Sequence, residues 1–93
     1  MPIGPIEAQV AAETLGIAGL RLRRALDALA LHDQSDKRNA TVRADLLADA
    51  GDAFWRFVVQ REHLGLRDPE FVAEAFGVPT EVWQSMKPKL DTP

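Results

Sequence analysis

The stretch AFWRFVVQREHLGLRDP, residues 53–69, decides the fold because it contains a dense apolar run followed by the clearest helix stop in the chain. Its apolar residues recur at helical spacing on one face, as Phe54, Phe57, Val58 and Leu64. Trp55 and Val59 form a second apolar stripe, about 100° away around the same helix. A helix that is apolar on two sides has to be covered on two sides.

The end of this stretch predicts that one helix stops and another starts. Gly65 can adopt the left-handed conformation that ends a helix, and Leu66 can pack back against the last turn. Asp68 and Pro69 have the residue types preferred at the N-cap and at the first position of a new helix.

Residues from Ile6 to about His32 predict a first long helix, which only Gly16 and Gly19 weaken. One stripe of this helix is a heptad seam in which small residues alternate with leucine: Ala8, Ala11, Leu15, Ala18, Leu22, Ala25 and Leu29. A second, nearly opposite stripe consists of Ile6, Val10, Ile17, Leu20 and Leu31, and is broken by Glu13 and Arg24. The first helix therefore also has two apolar sides.

A second long helix is predicted from about residue 40 to residue 64. The polar stretch DQSDKRN before it reads as a loop, and its N-cap is one of Ser35, Asn39 or Thr41. Gly51 lies inside the helix and costs about 1 kcal/mol relative to alanine, so it marks either a close crossing or a bend.

Two short helices complete the prediction. The first covers residues 69–76 and stops at Gly77, and the last carries Trp83 and ends before Pro88. Residues 1–4 are expected to be extended, and residues 87–93 to form a frayed tail. Because no alternating strand pattern occurs, we predict an all-α fold in a single domain over residues 1–93.

Helix length points to assembly. Residues 5–32 would form a helix of ~42 Å and residues 40–64 one of ~38 Å, whereas a compact chain of this length is roughly 30 Å across. Two long antiparallel helices and a short pair leave apolar surface uncovered, so we predict a homodimer with a four-helix core. The alternative is a monomer whose first helix kinks at Gly16 or Gly19, so that the short helices fold back.

Composition excludes several classes of protein. The chain of 93 residues has a formal charge of −3 and no cysteine, which excludes disulfides and thiolate chemistry and fits a reducing compartment. Neither half has the basic excess that binds nucleic acid non-specifically. No signal peptide or membrane-spanning run is recognisable, so a cytoplasmic location without membrane contact is expected.

Few residues have the type and spacing expected of a catalytic, metal or ion-pair site. Arg61 falls on the apolar face of the second long helix, where a buried ion pair with Glu13 or Asp68 is one interpretation and a local contact or solvated head is the other. His32 and His63 lack the spacing of helical metal ligands, and neither serine lies in a nucleophile turn. We therefore expect no enzyme activity, metal or cofactor.

The segment EFVAEAFGVPTEVWQSM, residues 70–86, resembles a helix-turn-helix in its apolar positions and in its turn glycine, Gly77. The recognition helix that this resemblance implies has no arginine, carries Glu81 near its start, and meets Pro88 within about three turns. Nucleic acid is therefore an unfavoured partner, and a DNA-binding regulator is the alternative function.

The stretches FWRFVVQREHLGLRD and FGVPTEVW also resemble a family of small all-helical proteins of unknown function from alphaproteobacteria. The resemblance covers residues from about 40 to 86, with the first helix as a possible extension. It implies a bacterial, cytoplasmic protein and supplies no site residues.

Together these features predict a self-associating helical module with no enzyme activity, which could also bind an unknown protein partner. The side chains expected to hold its core or interface are Leu15, Leu22, Leu29, Phe54, Phe57 and Val58. Trp55 and Trp83 are expected to join the short helices to the second long helix.

Overall fold

The computed structural model describes residues 4–90, with side chains described for residues 4–86, and contains four helices and no strand within that range. The helices are α1 (Pro5–Asp33), α2 (Ala40–His63), α3 (Pro69–Phe76) and α4 (Thr80–Leu90). The predicted all-α fold with two long and two short helices is therefore confirmed. The predicted frayed tail lies outside the described residues from position 91 onward.

Helix α1 is continuous through Gly16 and Gly19 over its 29 residues. It starts at Pro5, and the backbone N–H of Gly4 donates to the Glu7 carboxylate (2.7 Å), which satisfies one of the free donors at the helix start. The structure therefore has α1 as one uninterrupted helix, and the monomer alternative stays a prediction.

Helix α2 has the end structures that its sequence predicts. Of the three candidate N-caps, Asn39 is the one used, and its side chain accepts from the Val42 N–H at 3.0 Å. At the other end Gly65 has a φ of 81°, and the Leu66 N–H donates to the Arg61 carbonyl at 2.9 Å. These contacts form a Schellman motif, which turns the chain sharply towards α3.

Helix α3 also begins and ends at residues of the types that the sequence predicts. Asp68 caps α3 by accepting from the Phe71 N–H at 3.1 Å, and Gly77 ends it in the left-handed conformation with a φ of 67°. Helix α4 continues to Leu90, so the prediction that it ends before Pro88 is wrong. Pro88 lies in the last turn, where its missing N–H removes one backbone hydrogen bond without interrupting a long helix.

The core is a single cluster to which all four helices contribute. Its buried apolar side chains are Leu22, Leu26, Leu29, Ala50, Phe54, Phe57, Val58, Val72, Val82 and Met86. The side of α1 that carries the heptad seam therefore faces the core, and we call it the inner face. Leu26 is also buried there, although it is not part of the seam. Two apolar residues of the helices, Val42 on α2 and Ala75 on α3, are exposed.

Helix α4 packs against α2 at unusually close range. A Cβ atom added to Gly51 would lie 2.7 Å from Ser85 Oγ, 2.9 Å from Ser85 Cβ and 3.2 Å from the Met86 nitrogen. One turn further along α2, the rings of Phe54 and Trp83 meet edge to face with centroids 4.9 Å apart. Gly51 thus marks a close crossing, and Trp83 joins α4 to α2 as the sequence predicts.

The resulting shape is elongated. The described chain measures 50 × 30 × 20 Å and its radius of gyration is 14.7 Å, compared with ~12 Å for a compact chain of this length. The long axis follows from the lengths of α1 and α2, and a large share of the surface of both helices faces outward.

Alanine substitutions at two helical glycines should have opposite effects on stability. We expect Gly51→Ala to destabilise the protein by about 1 kcal/mol, because an overpacking cost of about 1–3 kcal/mol exceeds the gain in helix propensity. Gly16→Ala is the control, since nothing lies within 4 Å of its added Cβ, and it should stabilise by about 0.5–1 kcal/mol. Urea unfolding measures both values, and a stabilised Gly51→Ala variant would contradict the close crossing.

Candidate interaction face

The most prominent surface feature is an apolar band on the side of α1 that faces away from the core, which we call the outer face. Its apolar members and their exposed fractions are Ile6 (78%), Val10 (56%), Ile17 (55%), Leu20 (50%) and Leu31 (71%). Glu13 and Arg24 lie between them and are also exposed. Five large apolar side chains in one band exceed the scattered exposure that is ordinary on a monomer surface.

The position of this band follows from the helical repeat. Leu22 points into the core with no exposed surface, and residues on the opposite side of the same helix are about 180° away from it. The three remaining helices cover only the inner side of α1, so the outer face has no partner among the described residues. Of the two apolar sides predicted for α1, one is therefore buried in the core and the other is exposed.

A groove borders the outer face where α1 lies beside α2. It has a volume of about 370 Å³, and its walls include Ile17 and Arg21 from α1 and Trp55, Arg56 and Val59 from α2. Trp55 therefore lies beside α1 at this groove, and its role in joining a short helix to α2 stays a prediction. Its indole Nε1 is buried and has no hydrogen-bond acceptor among the described residues.

Arg61 lies between two aromatic rings. Its guanidinium carbon is 6.0 Å from the centroid of Phe57 and 5.7 Å from that of Phe71, which are cation–π distances. Its Nε is buried and, within the described part of the chain, has no acceptor. The arginine thus links α2 to α3 by stacking.

The ion pair hypothesised for Arg61 is replaced by these ring contacts. Glu13 is exposed and accepts a hydrogen bond from Gln9 at 3.3 Å, while Asp68 is used as the N-cap of α3. No salt bridge joins Arg61 to either carboxylate in residues 4–86. Both acids have local backbone or side-chain partners, which a sequence pattern of charges does not reveal.

A cluster of three charged side chains lies where α1 ends and where α2 and α4 begin. The Arg43 guanidinium donates to both oxygens of Asp33, at 2.7 and 3.2 Å, and to both oxygens of Glu81, each at 2.9 Å. It joins the end of α1 to the starts of α2 and α4 through two bidentate contacts. The hydrogen bonds from Arg43 lower the pKa of the Asp33 and Glu81 carboxyls and raise the pKa of the guanidinium.

This cluster also bears on the helix-turn-helix resemblance. Helices α3 and α4 are joined by a short turn at Gly77, as that motif requires. However, the first turn of α4 presents Glu81, and its carboxylate is held by Arg43. A phosphate backbone approaching this helix end would meet negative charge, which opposes DNA binding.

The predicted anchor residues divide between the core and its edge. Leu22, Leu29, Phe54, Phe57 and Val58 are buried, and Leu15, Trp55 and Trp83 are partly buried. Sequence reasoning missed Arg43, because its partners are 10 and 38 residues away along the chain. The sequence drew attention only to its partner Glu81, an acid near the start of the last helix.

Two kinds of feature are absent from the described residues. No group of three or more His, Asp or Glu side chains could hold a metal ion within them. None of the helices in that part of the chain is long and apolar enough to cross a membrane.

Comparison with known proteins gives one match. Residues 4–88 match the model of a protein family described as "Family of unknown function (DUF6665)". The match covers nearly the whole chain, including the first helix, and extends beyond the residues on which the resemblance was noted. No curated protein and no solved structure matches the chain.

The ionic cluster predicts acid sensitivity. Because Arg43 lowers the pKa of Asp33 and Glu81, whose ordinary values are 3.8 and 4.5, its stabilising effect is complete above those values and is lost as the pH falls through the lowered ones. We expect Arg43→Met to reduce Tm at pH 7, and the difference from the unsubstituted chain to shrink below about pH 4. Thermal unfolding monitored by circular dichroism from pH 3 to 7 measures this.

Arg67→Met is the matched control, because Arg67 is exposed and forms none of the salt bridges described for residues 4–86. Its effect on Tm should be small and nearly independent of pH. An Arg43→Met deficit that stays constant from pH 7 to 3 would show that the two carboxylates do not stabilise the fold through this arginine.

Proposed function

The chain belongs to this family of unknown function, and from that premise we propose that it is a non-enzymatic helical assembly module whose first partner is a second copy of itself. The single observation that carries the proposal is the exposure of five large apolar side chains along the outer face of α1. Covering such a face is favourable by about 25 cal/mol for each Å² of apolar surface removed from water.

The proposed assembly is a homodimer of two antiparallel α1–α2 pairs, which makes a bundle of four long helices with the outer faces of the two α1 helices in contact between the chains. A symmetric pair uses the same surface on both copies, so one apolar face is enough to make the interface. The groove beside α1 supports this arrangement, because Trp55 and Ile17 in its walls extend the apolar surface next to the outer face. Another protein with a similar apolar helix is the alternative partner.

The proposal includes a bacterial cytoplasmic setting and no enzymatic activity. The cytoplasmic setting is supported by the absence of cysteine, which suits a reducing compartment. The non-enzymatic assignment is supported by the residues of the outer face, which are apolar groups with a few charged side chains and include no nucleophile beside a general base.

Substitution on the outer face should convert the dimer into a folded monomer. We expect static light scattering to give twice the chain mass of 10.2 kDa for the unsubstituted protein. Ile17→Asp should weaken association by at least about a hundredfold, because two copies of the residue each lose about 1.5–3 kcal/mol of burial. Its circular dichroism should remain helical, since Ile17 does not belong to the core.

Ala12→Asp is the matched control, because Ala12 is also exposed on α1 but lies outside the band of large apolar residues. This variant should stay dimeric at the same concentration. A mass of 10.2 kDa for the unsubstituted protein at micromolar concentration would end the proposal. DNA affinity that tightens as the salt concentration falls would instead favour the regulator alternative.

A further inference from the structure

The outer face of α1 has the spacing of a coiled-coil seam. Its positions are separated alternately by four and three residues, in the order Ile6, Val10, Glu13, Ile17, Leu20, Arg24, Asp27 and Leu31. This repeat places every member along one line of the helix, about 37 Å long from end to end. A second helix of the same kind could therefore pack against the whole length of the seam.

The seam is complementary to itself when a second copy runs in the opposite direction. In antiparallel coiled coils the two kinds of seam position face each other, and the alignment that pairs all eight positions has its midpoint between Ala18 and Gly19. Ile6 then faces the partner's Leu31, and Ile17 faces the partner's Leu20. Both pairs are apolar, and symmetry forms each of them twice.

Glu13 and Arg24, two of the three charged residues of the seam, lie at equal distances from this midpoint. In this alignment Glu13 faces the partner's Arg24, and Arg24 faces the partner's Glu13, so each charge meets its opposite. A parallel pair would place Glu13 against the partner's Glu13 and Arg24 against the partner's Arg24. Like charges directly opposed across an interface cost several kcal/mol, so the charge pattern selects the antiparallel orientation.

Both charged groups are available for such contacts. Arg24 is exposed, and none of the salt bridges described for residues 4–86 involves it. Glu13 is exposed and has only the 3.3 Å hydrogen bond from the Gln9 amide. Asp27 is the one charged position that would face an apolar side chain, the partner's Val10. On its own helix Asp27 is paired with Arg23 at 3.9 Å.

We propose that the outer faces of two α1 helices pair antiparallel about the point between Ala18 and Gly19, with Glu13 and Arg24 as the pair of charges that sets direction and register. This inference rests on the proposed self-association and adds to it the geometry of the contact. Buried or half-buried polar positions in coiled coils are known to set register in this way, at some cost in stability.

Charge exchange at these two positions tests the register. We expect Glu13→Arg alone and Arg24→Glu alone each to weaken dimerisation on the order of a hundredfold, because each creates two like-charge contacts. The double variant E13R/R24E should dimerise like the unsubstituted protein. An equimolar mixture of the two single variants should form a heterodimer, in which both opposed pairs are again unlike in charge.

The outcomes separate the two proposals. A monomeric unsubstituted protein in light scattering would overturn self-association and the register together. A dimeric unsubstituted protein whose single variants remain dimeric, or whose double variant and mixture stay monomeric, would overturn the register alone. The matched control is D49R/R67E, which reverses an exposed acid and an exposed base away from α1 and should leave the dimer unchanged.

Disulfide trapping provides an independent measurement, because the chain has no cysteine of its own. Mixed Ile17→Cys and Leu20→Cys chains should form a covalent heterodimer under mild oxidation, since a disulfide needs Cα atoms within about 7 Å. A mixture of Ile17→Cys with Ile6→Cys should not, because these positions would be about 21 Å apart along the helix axis. Efficient trapping of the second mixture and not the first would overturn the register.

Discussion

The packing of the inner face of α1 against α2 is the constraint on which the rest of the structure depends. Leu22, Leu26 and Leu29 are buried in one cluster with Phe54 and Phe57, and this contact fixes how α1 is rotated about its own axis. Once Leu22 points inward, the opposite side of the helix has to point outward. The exposed band on α1 is therefore a direct consequence of how the core is built.

Helix ends could be predicted from sequence because the chemistry of a cap is local. Asn39, Asp68 and Gly77 each act on backbone groups within a few residues, and their types indicate their roles. Leu26 and Pro88 are two of the places that differ from prediction. Leu26 is part of the buried core, although the heptad pattern omits it, and Pro88 is accommodated in the last turn of α4.

The contacts that could not be predicted join residues on different helices. Arg43 meets Glu81, Arg61 meets the ring of Phe71, and Trp55 lies beside Ile17 across the groove. Each depends on how separate helices are placed, and a sequence pattern carries no information about that placement. The candidate face itself was visible as a periodic stripe, but which of the two stripes would stay exposed was decided by tertiary packing.

The two bidentate contacts of Arg43 also have a consequence for the order of folding. Asp33 is only 10 residues from Arg43 along the chain, whereas Glu81 is 38 residues away. Closing the shorter loop loses less chain entropy, so the hairpin of α1 and α2 can gain its arginine contact before α4 arrives. We expect the contact to Glu81 to form late, so that losing it speeds unfolding and leaves the refolding rate nearly unchanged.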